Sequence, residues 1–451
     1  MIRIGRRIGV GFMGLLTIVM AQPAQATLPP TDGVTAVHHP AWSTHATIYE
    51  VNVRQYTPQG TFRAFERHLP RLRRMGVDIL WIMPINPISH LQRKGTLGSP
   101  YAVSDYLAVN PEFGTLDDFR HLVATAHRLG FRVILDWVAN HTGWDNVWVT
   151  RHPDWYLRNA AGDLEGYHYT DLSDHHQEVW ADVIGLDYRR ADVRAGMIAA
   201  MQYWLKAADI DGFRCDVAWT LPVDFWDQAR AELDKVKPVF LLAEADTPEM
   251  QTRAFDMTYD WALYHLMIKI ARGQANARDL AALYTAPPRR YPAGAMRMTF
   301  TSDHDENAWN GTDQELYGPA ADAMAVLAAT LPGMPLVYSG QEDANAKRLK
   351  FFDRDPIAWG KFPRASFYRR LLALKHAHPA LTNTMAPGNL RLITTDNAHV
   401  FAFTRDLGRD HVRVVVNLSA ESTRFIWPDG KARLLTGWGW AIVPWPPTLP
   451  R

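Results

Sequence analysis

The chain has 451 residues, 47% of them hydrophobic, and a formal net charge of +1. Near-neutrality implies neither a nucleic-acid surface nor a strongly acidic ligand. The length exceeds what one small core uses, and a lone cysteine, Cys215, rules out an internal disulfide. Seventeen Trp, 16 Tyr and 18 Phe supply either a large core or stacking surfaces for a flat, uncharged ligand. Composition does not separate the two.

In chain order, MIRIGRR is a basic n-region, IGVGFMGLLTIVM an apolar run of 13, and AQPAQA a small-residue cleavage site. The pattern predicts a secretory signal over residues 1–26, cleaved after Ala26, and it is short for a membrane span. Arg6 and Arg7 bring twin-arginine export to mind, but a basic n-region accounts for them, and ordinary export is expected. No other run is long and apolar enough to cross a bilayer. The mature protein is expected to be exported, to the periplasm or the medium, and to act as a monomer.

Short runs rich in Val, Ile and Leu then alternate with helix-period segments. The predicted strands are 46–56, 78–84, 132–141, 212–219, 239–245, 255–261, 297–305 and 334–342. Continuous apolar strands alternating with helices imply a parallel sheet covered on both faces, and eight such units close into a (β/α)₈ barrel. No glycine-rich phosphate loop follows the first strand, which argues against an open dinucleotide-binding sheet. Residues 142–190 interrupt the pattern with six Trp or Tyr before Trp180 and no clear helix period. They are expected to form a small inserted domain after the third strand. After HAHP (376–379) the period changes to two, which predicts an antiparallel β-sandwich domain over 381–451. The barrel is left with 27–141 and 191–380.

Chemistry in such a barrel sits where the strands end. The third predicted strand ends in Asp136, Asn140 and His141, the fourth in Arg214 and Asp216, the fifth in Glu244, and the seventh in Asp303, His304 and Asp305. Any one of these suits a cap or a loop. Carboxylates gathered round one mouth repel one another, and that is costly unless function needs them. In GFRCDVAW (212–219), alternation puts Arg214 and Asp216 on the same face, where opposite charge would hold Asp216 ionised as a nucleophile. Glu244 on the next strand is placed to lie about 5 Å away, the spacing of a retaining glycosidase, with a raised pKa suited to a general acid. His304 and Asp305 would then bind sugar hydroxyls. Cys215 points the other way, into the barrel wall.

DWVANH (136–141), GFRCDVAW (212–219), EAD (244–246) and FTSDHD (300–305) resemble, in order and spacing, the four sequence regions of the α-amylase family of glycoside hydrolases. The resemblance extends through GSPYAVSDY (98–106) and covers most of residues 45–380. It implies Asp216 as nucleophile, Glu244 as acid/base and Asp305 as transition-state stabiliser. It also implies Tyr101, His141, Arg214 and His304 around the sugar at the cleavage point, with Tyr101 stacking on its ring and Asp136 a structural partner. Residues 142–190 would be domain B and the C-terminal strands domain C. Many starch-degrading members carry Lys-His three residues after the nucleophile. Here Trp219 and Thr220 stand there, and Trp219 is expected to replace the lysine by stacking on substrate. With the Lys-His pair missing, no metal or other cofactor is expected to be required, although Asn140 and Asp187 occupy positions resembling two calcium ligands. The implied activity is retaining hydrolysis of α-1,4-glucosidic bonds in starch-like glucans or maltooligosaccharides. An α-glucosidase, a glucanotransferase and a trehalose-forming isomerase share the same machinery. A non-catalytic carbohydrate-binding relative would lack catalytic carboxylates that are present here.

Overall fold

The structure, a computed structural model, describes residues 38–170, 176–285, 291–386, 388–395, 397–426 and 431–444. The expected signal segment, 1–26, lies outside the described residues. All eight expected strands form: β1 (Ile48–Val51), β2 (Ile79–Ile82), β3 (Arg132–Trp137), β4 (Gly212–Cys215), β5 (Phe240–Ala243), β6 (Met257–Tyr259), β7 (Met296–Thr299) and β8 (Met334–Tyr338). They pair in parallel, each with its neighbour in sequence, and β8 closes on β1. Apart from Arg132, every residue of these strands is buried.

The helices pack their apolar stripes against this barrel. Leu116–Arg128 starts at a capping box in which Thr115 and Asp118 bond each other's backbone N–H, and it buries Phe119, Leu122, Val123 and Ala126. Ala191–Ala208 buries Val193, Met197, Met201, Trp204 and Leu205. Spacings of three and four put these residues on one side, the arrangement of an amphipathic helix on a sheet.

The strands are shorter than the apolar runs suggested. β1 stops at Val51 and Val53–Tyr56 is already helical. β3 stops at Trp137, and His141–Gly143 pairs instead with Val183–Gly185, antiparallel, in the excursion that follows. Beyond a few residues the chain must leave the barrel wall to reach the outer layer, so each apolar run holds a strand and the turn after it. The excursion also contains an antiparallel pair, Tyr167–Thr170 with Gln177–Trp180.

After the barrel, β9 (Leu390–Ile393), β10 (Val400–Leu407), β11 (Asp410–Asn417) and β14 (Trp440–Val443) form one antiparallel sheet in that order, and β12 (Thr423–Ile426) pairs with β13 (Ala432–Leu435). Phe401, Phe403, Val414 and Val416 face the main core. Val400, Ala402 and Val415 on the opposite face are covered by Phe425 and Leu435 of the hairpin. This is the alternation of a sandwich. Arg405, buried, pins the sheet to the barrel side by donating to Thr330 O (2.9 Å), Thr382 O (2.9 Å) and Asn389 Oδ1 (2.6 Å).

Close approach requires a glycine at position 212. A Cβ on Gly212 at the start of β4 would stand 1.9 Å from Phe240 O on β5. The obstacle is backbone, so no side-chain rotation relieves it, and overpacking of this kind costs about 1–3 kcal/mol or more. Gly212→Ala is therefore expected to lower the melting temperature by several degrees or to yield insoluble protein. A circular-dichroism melt matching the wild type would refute the close approach.

Candidate active site

Arg214 is the centre of the barrel mouth. The in-register partner of Asp136 on β3, it points inward and is 1% exposed. Its Nη1 donates to Asp136 Oδ1 and to Asp216 Oδ1, both at 2.9 Å. Nη2 meets Glu244 Oε2 at 2.8 Å, and Nε donates to the Tyr259 hydroxyl at 3.1 Å. One guanidinium thus joins residues from β3, β6 and the turns after β4 and β5. Asp136, fully buried, also accepts from Trp81 Nε1 and from the Tyr101 hydroxyl, each at 3.0 Å. It is a structural partner of Arg214, as the sequence implied.

Asp216 lies just past the end of β4, so strict strand alternation ends before it, yet it meets Arg214 as expected. The next residue, Val217, is held at φ 36°, ψ 44°. That left-handed conformation is unusual for a β-branched residue, and strain of this kind collects at functional sites. Here it turns the Val217 N–H onto Glu244 Oε2 at 2.7 Å. Glu244 therefore receives a backbone donor as well as Arg214.

Asp305, after β7, completes the group. Its Oδ2 lies 3.2 Å from His304 Nε2, and the other His304 nitrogen meets Glu50 Oε1 at 2.6 Å. The Tyr101 hydroxyl is 2.7 Å from His304 Nε2, and the two rings stack. Side-chain exposure is 10% for Asp216, 16% for Glu244 and 38% for Asp305, against 0% for Asp136 and Glu50. The three proposed reacting carboxylates are the ones that reach the opening.

The charges are unbalanced. Burial pushes the Asp216 carboxyl well above the usual range; Arg214 pulls it down, and Glu244, Asp136 and Asp305 push it up again. The sequence argument had Arg214 alone keeping Asp216 ionised; here several carboxylates share that one cation. Burial opposes charge on His304 as well, but Asp305 and Glu50 at its two nitrogens hold its pKa well above that of a free histidine. Partial burial works to raise Asp305 and is outweighed by His304, Arg214 and the Trp309 N–H, which hold it low. His141 is pushed down to about 3 by burial and is neutral.

The remaining expected residues divide. His141 is buried beside Tyr167 and Trp180 at the edge of the excursion. Trp219, on the turn after Asp216, is half-buried and meets Tyr169 edge-on at 5.7 Å; Tyr169 in turn stacks on Trp180 at 4.4 Å. Tyr101 is only 7% exposed, and Phe351 stacks on it as well as His304. Cys215 is fully buried in the core, and burial pushes its thiol well up. Asp303 turns away to cap Glu306 N at 2.8 Å. The sequence reading missed Glu50, Trp81 and Tyr259. Glu50 carried a usable signal, a lone charge inside the apolar strand IYEV. The donors suggested for calcium have protein partners. Arg189 forks both oxygens of Asp187 at 2.7 and 2.8 Å, and the Asn140 amide donates to His141 Nδ1 at 3.1 Å. Among the described residues no group of three or more His, Cys, Asp or Glu is placed to hold a metal.

Removing Arg214 would leave Asp136 buried without its cation, an uncompensated charge worth about 3–5 kcal/mol. Arg214→Ala is thus expected to lose stability by that order at pH 7, besides losing activity. The deficit should shrink as pH falls, because Asp216, whose carboxyl burial already holds above the usual range, needs no cation once it is protonated. Urea unfolding at pH 7 and pH 5 measures both; a pH-independent deficit would count against the charge argument.

Residues 41–427 match the family model for the α-amylase catalytic domain. The chain is 29% identical over 410 residues to an α-amylase, MalA, of Haloarcula japonica, covering 87% of this chain and 58% of that protein. It is 28% identical over 400 residues to an α-1,4-glucan:maltose-1-phosphate maltosyltransferase of Streptomyces coelicolor, covering 82% of this chain and 57% of that one. The chain therefore spans a little over half the length of these curated relatives. The crystal structure of an α-amylase from Lactobacillus plantarum superposes with a TM-score of 0.76 at 30% identity, over 88% of this chain and 98% of that one. With its closed parallel barrel and antiparallel C-terminal sheet, the chain belongs to the α-amylase family.

Proposed function

We propose that the protein is a retaining glycoside hydrolase acting on α-1,4-glucosidic bonds of starch-like glucans or maltooligosaccharides. One observation carries the reading: a single guanidinium bonds Asp216 and Glu244 through neighbouring nitrogens, with both carboxylates open to the mouth. A shared guanidinium keeps the two close, which suits the spacing of about 5–5.5 Å used for retention and not the wider gap of about 6.5–9.5 Å used for inversion. Asp216 attacks the anomeric carbon while Glu244 protonates the departing glycosidic oxygen. Glu244 then takes a proton from water, which attacks from the face the leaving group left, displaces the Asp216 carboxylate from the anomeric carbon and releases the α-anomer. Asp305 faces the positive charge that develops on the sugar. Tyr101, His141 and His304 line the pocket, Arg214 holds the carboxylates, and Trp219 with Tyr169 offers an aromatic wall for a further sugar.

Glu244→Gln removes the titrating proton and keeps the shape. It is expected to lower kcat on unactivated maltooligosaccharides by at least about 10²–10⁴-fold, and near-normal turnover would remove Glu244 from the chemistry. Proton NMR in the first minutes of maltoheptaose hydrolysis is expected to record the α-anomer; initial β-product would exclude Asp216 as nucleophile. Products from maltoheptaose, starch and trehalose separate hydrolysis from transfer and isomerisation.

Asp216 must be ionised to attack. Because its pKa is raised, kcat/KM is expected to fall as pH drops through a value above the ordinary carboxylate range of about 4. An acid limb at or below that range would contradict the crowding described above. We also propose that no metal is required: chelation with EDTA is expected to leave activity and melting temperature unchanged. A loss of both, restored by calcium alone, would overturn this.

A further inference from the structure

Trp309 stands out among the large apolar side chains because it is 53% exposed and still commits its N–H to the active site. Its Nε1 donates to Asp305 Oδ1 at 3.2 Å, while His304 approaches Oδ2 at the same distance. The two oxygens of Asp305 are thus held by one ring each. Trp309 belongs to a single π-helical turn, Glu306–Asn310, that begins immediately after Asp305. Such turns are rare, and many lie at functional sites.

The turn is anchored at its base. Glu306 accepts from the Tyr264 hydroxyl and from Asn310 Nδ2, and Asn307 Oδ1 accepts from Leu349 N at 2.9 Å. The last bond ties the turn to the loop bearing Phe351 and Phe352, whose rings lie 5.3 and 5.8 Å from the Trp309 ring. Phe351 stacks in turn on Tyr101 at 5.9 Å. An aromatic wall therefore runs from the buried Tyr101–His304 pair outward to an open indole. An apolar ring with a polar edge suits a surface that a sugar covers on one side while the edge holds a charge.

We propose that Trp309 is a positioning residue for Asp305, and that its exposed face takes the glucosyl unit next to the one under attack. Substrate binding and alignment of Asp305 are then linked through one side chain. This rests on the glucan-cleaving reading above.

Two variants separate the roles. Trp309→Phe keeps a stacking face and removes the donor, so kcat on maltoheptaose should fall about ten- to a hundredfold, the worth of a hydrogen bond to a charged group, with KM within about twofold. Trp309→Ala should show the same fall in kcat and a KM raised about tenfold. Both melting temperatures should stay near that of the wild type because the ring is exposed. A Trp309→Phe enzyme with wild-type kcat, or a Trp309→Ala enzyme with unchanged KM, overturns the proposal. A second measurement needs no turnover. In ¹⁵N-tryptophan-labelled protein, the indole N–H resonance missing from Trp309→Phe should move in Asp305→Asn, and an unmoved resonance overturns the contact. Wild-type protein inert on every α-glucan would refute the glucan reading and with it the stacking role, leaving the resonance to decide whether Trp309 orients Asp305.

Discussion

A cation buried among carboxylates is the constraint on which the site depends. Arg214 sits where water cannot reach it, and its charge is tolerable only because Asp136, Asp216 and Glu244 surround it. Those carboxylates are tolerable in turn only because of Arg214. Trp81, Tyr101 and Tyr259 complete the shell from β2, β6 and the loop after β2. The site's charged groups gather at the mouth end of short, mostly apolar strands: Glu50, Asp136 and Arg214 stand one residue before a strand's end, and Asp216 and Glu244 just past one. The barrel supplies rigidity and the guanidinium supplies the relative placement of groups from separate strands.

Charge is distributed with a direction. Moving from Glu50 and Asp136 at the floor to Asp305 at the rim, the carboxylates become progressively more exposed; Arg214 holds Asp136, Asp216 and Glu244, and His304 bridges Glu50 and Asp305. Asp136 at the floor is locked by Arg214, Trp81 and Tyr101, and Glu50 by His304; both serve as scaffold. The rim groups keep an open side. A pocket built in this way leaves one anionic oxygen pair to face positive charge developing above it.

The parts readable from sequence were those with local rules. Eight apolar runs separated by helix-period segments implied the barrel, and the change to period two after residue 379 implied the C-terminal sheet. Arg214 and Asp216 were conspicuous because charge two residues apart in a core strand has few explanations. What sequence did not give was the end of each strand, since the same Val, Ile and Leu continue into the turn, as in IYEVNVRQY and GFRCDVAW. Nor did it give the contacts made across the barrel. Glu50 meets His304 over 254 positions of sequence, a partnership that no spacing rule encodes. Trp309 passed as one aromatic among many because a π-helical turn leaves no clear periodic trace.

Arg405 carries a consequence for how the molecule comes apart. Its guanidinium is spent on two main-chain carbonyls and one amide oxygen, Thr330 O and Thr382 O lying on the barrel side. Phe401 and Phe403 beside it share their core with the barrel helices. Cutting the chain before β9 would strand those carbonyls and lay a phenylalanine face open to water. The C-terminal sheet is therefore a wall of the catalytic body, and domain-exchange experiments that treat it as a detachable module would cut through the hydrophobic core itself.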